Sequence, residues 1–247
     1  MASSAPMLRG PRWSKKTDEL VRYVAGRCRP GLQSELGHWL EDSARFRTFV
    51  AAHQDKVRKK LSSDNEDNRL DVRSELLVAS LVLADRRFEL AFEAYGAGQR
   101  GPDLTLTFRA NQRFNLEVTR LRATGDGGDA RLANVIAAKL RQLPGDLPNG
   151  LVITTRGLSL SEQELVAATR LLKMHSDQKD DTFFARRGFL SARDFHARFL
   201  HLGGVFILEE GETPPAVVSS ENREARHPLP RDAFAALTAC LAGTPRG

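Results

Sequence analysis

The stretch Gly101–Arg122, GPDLTLTFRANQRFNLEVTRLR, decides how the rest of the chain is read. Leu104, Leu106 and Phe108 alternate with Asp103, Thr105 and Thr107, and Phe114, Leu116 and Val118 continue the two-residue period. Arg109 to Arg113 lies between the two runs and contains Asn111 and Gln112, so the stretch reads as a hairpin with a polar turn. Glu117 breaks the pattern. A carboxylate in the middle of an aromatic and β-branched strand is costly to bury unless something pairs with it. Asp103 opens the neighbouring strand, so the hairpin would bring two carboxylates within reach of one cation, a candidate metal site. Glu117 and Thr119 are two apart and share a face of their strand.

With 247 residues, 41% of them hydrophobic, the chain can bury one large core and still carry a helical extension. No apolar run approaches the ~20 residues that span a bilayer. The N-terminal MASSAPMLRGPRWSKK lacks the apolar centre of a secretory signal. Two distant cysteines, Cys28 and Cys240, are too few for a disulfide framework or a four-cysteine zinc site, and a reducing cytoplasmic setting is expected. The positive charge is unevenly placed. Residues 1–60 hold 13 Lys and Arg against 6 Asp and Glu, and the remainder holds 24 against 25. A basic N-terminal quarter suits contact with a polyanion such as nucleic acid, or simply a solvated helix surface.

Outward from the hairpin, residues 1–14 read as flexible, with Trp13 as an anchor, and Lys16 to Arg27 as a helix closed by a turn at Arg29-Pro30-Gly31. Leu36 to Leu61 carries apolar residues at helical spacing, as one long or two shorter helices. Within it Lys56, Arg58, Lys59 and Lys60 could lie along a phosphate backbone. Ser62 to Asp67 reads as a linker. Asp71 to Arg87 is a helix with Val72, Leu76, Ala79 and Leu83 on one stripe, Leu77 and Leu81 beside it, and Glu75 set inside the apolar sector. An edge pairing of Glu75 with an arginine such as Arg73 is the plain alternative.

Arg87 to Tyr95 alternates as a strand and Gly96 to Gly101 makes its turn. Thr124 to Asp129, TGDGGD, lacks the spacing and lysine of a phosphate-binding loop and reads as a connection. Ala130 to Leu143 is a helix whose inward stripe includes Lys139, a residue that would ordinarily carry its ammonium to the edge. Gly150 to Thr155 and Gly204 to Leu208 are buried strands, and Ala216 to Ser219 is a last short one. Helices fill Ser161 to Met174, Ser191 to Leu202 and Arg231 to Leu241, with a mobile loop at Asp177 to Arg187. His196, His201 and His227 read as structural or surface residues. The expected fold is therefore α/β, a mixed central sheet flanked by helices. It divides into a flexible end (1–14), a basic helical region (15–67) and the α/β domain (68–247).

A helix carrying Glu75, three strands, Pro102-Asp103 at the start of the second and Glu117-Val118-Thr119 within the third resemble the PD-(D/E)XK nuclease superfamily. The resemblance covers Arg69 to Thr155, with looser agreement through Leu208. It implies a restriction-endonuclease-like αβββαβ core. It further implies Asp103, Glu117 and Glu75 as ligands of Mg²⁺ or Mn²⁺, DNA as substrate, and phosphodiester hydrolysis as the reaction. Thr119 stands where the family places its lysine. Arg120 alternates to the other face, whereas Lys139, with Gln142 three further along the same side, is the candidate for a relocated lysine. The catalytic set would then be Glu75, Asp103, Glu117, Thr119 and Lys139. Two alternatives stay open. One is a catalytically inactive nucleic-acid-binding or assembly module on the same fold. The other is a metal-free protein whose acids bond to Arg120, Arg122 or backbone amides. A homodimer or a partner protein is compatible with each.

Overall fold

The computed structural model describes residues 13–92, 101–122, 128–211 and 214–244. Two compact units divide the chain at Arg73 and Ser74. In the first, α1 (Lys15–Ala25) is followed by α2 (Pro30–Asp42), α3 (Ala44–Ala52) and α4 (Gln54–Leu61), and α5 (Glu66–Leu83) begins here and runs on into the second unit. Pro30 starts α2 rather than ending a turn, because its missing N–H is one the first helical turn leaves unbonded anyway. Three helices replace the one or two expected between Leu36 and Leu61. Ser43 takes the Phe46 N–H and so caps a new helix, and His53 separates α3 from α4. Leu36, Leu40, Phe46 and Val50 are fully buried, and Trp13 rests on α2 against Gly37 and His38. The expected linker at Ser62 to Asp67 is shorter, since α5 already starts at Glu66.

The second unit is a six-stranded sheet in simple sequence order: β1 (Phe88–Phe92), β2 (Leu104–Phe108), β3 (Gln112–Arg120), β4 (Asn149–Arg156), β5 (Leu202–Glu210) and β6 (Ala216–Glu221). β1, β2 and β3 form an antiparallel meander, β3, β4 and β5 run parallel, and β6 returns antiparallel. The α/β class with a mixed sheet flanked by helices is thus the observed one. The expected strand residues past Phe92 and the loop residues 123–127 lie outside the described residues.

Parallel neighbours need crossovers. α6 (Gly128–Leu140) joins β3 to β4, and α7 (Glu162–Asp177), α8 (Asp181–Ala185) and α9 (Ala192–Phe199) join β4 to β5. The strands advance in one direction, so crossovers of one hand fall on one face. Leu132, Ile136 and Leu140 of α6, Leu165 and Leu172 of α7, and Phe195 of α9 accordingly share a core with Leu151, Ile153, Val205 and Ile207. Residues of opposite parity face the other way, where Phe206 meets Phe234 of α10 (Arg231–Leu241) and Thr154 meets Ser74 of α5. β4 is buried along all but its last residue, which is why its sequence is continuously apolar instead of alternating.

Two segments depart from their sequence reading. Asp177 to Arg187, expected as a mobile loop, contains α8: Asp180 caps it at the Phe183 N–H, and Phe184 is wholly buried against Phe195, at 4.2 Å between ring centroids. The hairpin between β2 and β3 turns through Arg109 and Ala110, both left-handed with φ of 49° and 65°. Neither is glycine, so the turn carries backbone strain that its composition conceals.

Candidate functional site

β2 and β3 part at Leu104, the first residue of β2, whose partner is Leu116. Asp103 stands at that fork, half-buried, and its Oδ2 accepts a hydrogen bond from the Val118 N–H at 2.9 Å. The carboxylate thereby satisfies a β3 donor beyond Leu116, the last β3 residue paired with β2. Opposite Asp103 in the continuing register is Glu117, only 2% exposed. Lys139 reaches it from α6: its Nζ donates to Glu117 Oε1 at 2.7 Å, with the lysine side chain 23% exposed. Glu117 Oε2 is buried and has no hydrogen-bond partner.

The electrostatics follow from this geometry. Burial, and then the nearby Asp103 carboxylate, push Glu117 up to about 7, while Lys139 pulls it down. Two carboxylates held together in a dry place repel, and a cation relieves them. Lys139 supplies one cationic contact, to one oxygen.

The other residues named from sequence are placed as follows. Thr119 lies on the Glu117 face of β3, half-buried and paired across to Ile153. Glu75 is buried on α5, whose Ser74 bonds Thr154 at 2.9 Å and Glu210 at 3.3 Å. Thr154 has opposite parity to Leu151, the partner of Glu117, so α5 covers the face of the sheet away from Lys139. Among the described residues, no group of three or more His, Cys, Asp or Glu is arranged to hold a metal ion. Asp103, Glu117 and Lys139 are brought together, and Glu75 follows Ser74 on α5, which packs on the Thr154 face. Gln142 is exposed in the turn after α6. Lys56, Arg58, Lys59 and Lys60 belong to α4, which buries Val57 and Leu61; Arg58 and Lys59 are exposed, and Arg58 stacks over Tyr23 at 4.8 Å.

Sequence reasoning missed a polar chain beneath the acids. Thr105 Oγ1 donates to Asn115 Oδ1 at 3.0 Å, and Asn115 Nδ2 donates to Asn149 Oδ1 at 3.1 Å. Asn149 Nδ2 in turn bonds the carbonyls of Pro144, Leu147 and His201. Asn115 and Asn149 are fully buried. The signal was present in part, because Asn115 lies two residues before Glu117 and must share its face.

Compared with family models, curated proteins and solved structures, the chain matches none. Among the described residues no helix is long and apolar enough to cross a membrane.

Proposed function

We propose that the second unit is a divalent-metal-assisted DNA nuclease of the PD-(D/E)XK kind, with Asp103 and Glu117 as the carboxylates and Lys139 in place of the motif lysine. The order α5, β1, β2, β3, α6, β4 supports the αβββαβ core of that superfamily. One observation carries the reading: a buried glutamate with an unpartnered oxygen, beside an aspartate at a strand fork and within hydrogen-bond reach of a lysine from the crossover helix. The donor set fits Mg²⁺ or Mn²⁺, which take hard oxygen ligands, commonly one or two carboxylates completed by water and substrate phosphate. When bound, such a cation neutralises phosphoryl charge and makes a water more acidic.

The chain's own groups then have stated tasks. Glu117 Oε2 accepts a hydrogen bond or a cation where burial leaves it without either. The position of its pKa near neutrality allows Glu117 to take or release a proton at working pH. The Lys139 ammonium holds Glu117 Oε1 and adds positive charge where the phosphoryl oxygens gain negative charge. Asp103 stays at the fork through the Val118 N–H. Thr119 is uncharged and Glu75 belongs to α5, which packs on the Thr154 face, so both are expected to contribute less than Asp103, Glu117 and Lys139. The basic α4, with Lys56, Arg58, Lys59 and Lys60, would add sequence-independent affinity for the DNA backbone.

The test is cleavage of linear, circular and single-stranded DNA with Mg²⁺ or Mn²⁺, using wild type, Asp103→Asn and Glu117→Gln. Cutting by wild type that falls by at least about 10²-fold in both variants is expected. Equal inertness of all three proteins toward every substrate would sink the reading. A second reading is favoured by one fact: Asp103 and Lys139 already bond within the protein, so the acids could be structural on a nucleic-acid-binding module. In that case DNA binding survives chelation and acid substitution but weakens steeply with salt.

A further inference from the structure

A pocket of about 820 Å³, separate from the carboxylate pair, lies between α6, the end of α7 and α8. Its chemistry is one-sided. Asn134, His175, Thr182, Arg186 and Arg187 line it as donors, and Asp180 is its one carboxylate. Asp180 is already occupied twice, Oδ1 taking the Phe183 N–H at 2.9 Å and Oδ2 meeting His175 Nδ1 at 2.9 Å. The Phe183 amide first, and then His175, keep the Asp180 carboxyl below its usual range, so it stays charged and committed to those partners.

Arg187 is held in place, Arg186 beside it is exposed, and Asp180 is the one carboxylate of the pocket that faces their two charges. Phe183 lies parallel to the His175 ring, with centroids 3.6 Å apart and planes 7° from parallel. The Arg187 guanidinium packs on Phe183 at 3.4 Å from the ring centroid, and its Nη1 bonds the Phe183 carbonyl at 2.9 Å. Arg187 Nε is buried without a hydrogen-bond partner. Burial first, and then the neighbouring Arg186, disfavour the charge on Arg187, and Asp180 offsets them only in part. A stacked, pre-oriented guanidinium beside a second one, with the local carboxylate spent, is the arrangement that binds phosphate oxygens through paired N–H donors. The pocket is open and has room for an organic group attached to the phosphate.

We propose that this pocket binds a phosphate ester, its phosphate contacted by Arg186 and Arg187 and oriented by the His175–Phe183–Arg187 stack. The ester is either a free nucleotide or a phosphate of a DNA strand. Only the strand form rests on the nuclease reading.

The full chain is titrated, without divalent metal, with inorganic phosphate, a nucleoside 5′-monophosphate and a labelled single-stranded deoxyoligonucleotide. Arg186→Gln and Arg187→Gln are compared with wild type and with Arg193→Gln, which removes one exposed charge from α9. Melting temperature is recorded for each, because Arg187→Gln could loosen α8, whereas Arg186 is exposed. The expected result is binding of at least one ester probe, weakened about tenfold or more in both pocket variants and unchanged in Arg193→Gln, as for loss of a charge-assisted hydrogen bond. Loss confined to the mononucleotide assigns a free nucleotide, and loss for the oligonucleotide assigns a strand. The proposal is overturned if neither ester probe binds, or if Arg186→Gln weakens binding no more than Arg193→Gln does. Metal-dependent cleavage by the Glu117→Gln variant reads the nuclease proposal separately, since that residue lies outside the pocket.

Discussion

Asn115 and Glu117 stand two residues apart on the same face of β3, both inside the protein, and they differ in how their polar atoms are met. Asn115 gives and receives hydrogen bonds through Thr105 and Asn149, and the chain ends on three backbone carbonyls. Glu117 has one oxygen on Lys139, the other on nothing, and a carboxylate neighbour that repels it. A satisfied buried polar group specifies structure, and an unsatisfied one points to something that is to come. Polar residues in a core are therefore not equivalent, and what separates them is the inventory of partners.

The contrast can be broken by mutation. Its largest expected effect is on catalysis: Lys139→Met should lower metal-dependent cleavage by about 10²-fold or more, measured as initial rate on a labelled DNA. Glu75→Gln should lower it less, because α5 lies on the other face. If Glu75→Gln is as damaging as Lys139→Met, the site is assembled differently from this account. Asn115→Ala should instead cost stability, about 2 kcal/mol by chemical denaturation, because Asn149 and Thr105 lose a buried partner. Its cleavage rate, measured well below its melting temperature, should change little.

The pH dependence has a definite sign. The Glu117 pKa is raised in the folded protein, so this residue's contribution to stability is fully present below about 4.5 and is lost as pH rises through about 7. Glu117→Gln should flatten the stability profile between those values, and Lys139→Met should extend the loss to higher pH than in wild type, since Lys139 lowers the Glu117 pKa. Denaturation midpoints between pH 4 and pH 8 check both. The smallest expected effect concerns the hairpin that carries the acids. Ala110→Gly should stabilise by up to about 1 kcal/mol, by relieving a left-handed residue at φ 65°. A loss of stability there would show that the unfolded-state entropy of glycine outweighs the strain.

Much of this was legible one segment at a time. The alternation of β2 and β3 and the position of Lys139 on the inward stripe of α6 are local patterns, and the structure keeps them. Boundaries moved where a cap decided them, as at Ser43, or where proline opened a helix, as at Pro30. α8 was hidden because it is short and flanked by charged residues, and its order comes from Phe184 packing on the distant Phe195. Asn149 was hidden for the same reason: it bonds Asn115, 34 residues earlier, and periodicity does not report such pairs. The carboxylate pair could be read from residue types, but the face of the sheet that Glu75 belongs to depended on strand parity and on which helix covers which side.

The most direct test of the central claim is calorimetric titration of Mn²⁺ into wild type, Glu117→Gln and Asn115→Ser. The account predicts binding heat in wild type, its retention in Asn115→Ser and its loss in Glu117→Gln. Absence of binding in wild type, or equal binding in all three proteins, would contradict it.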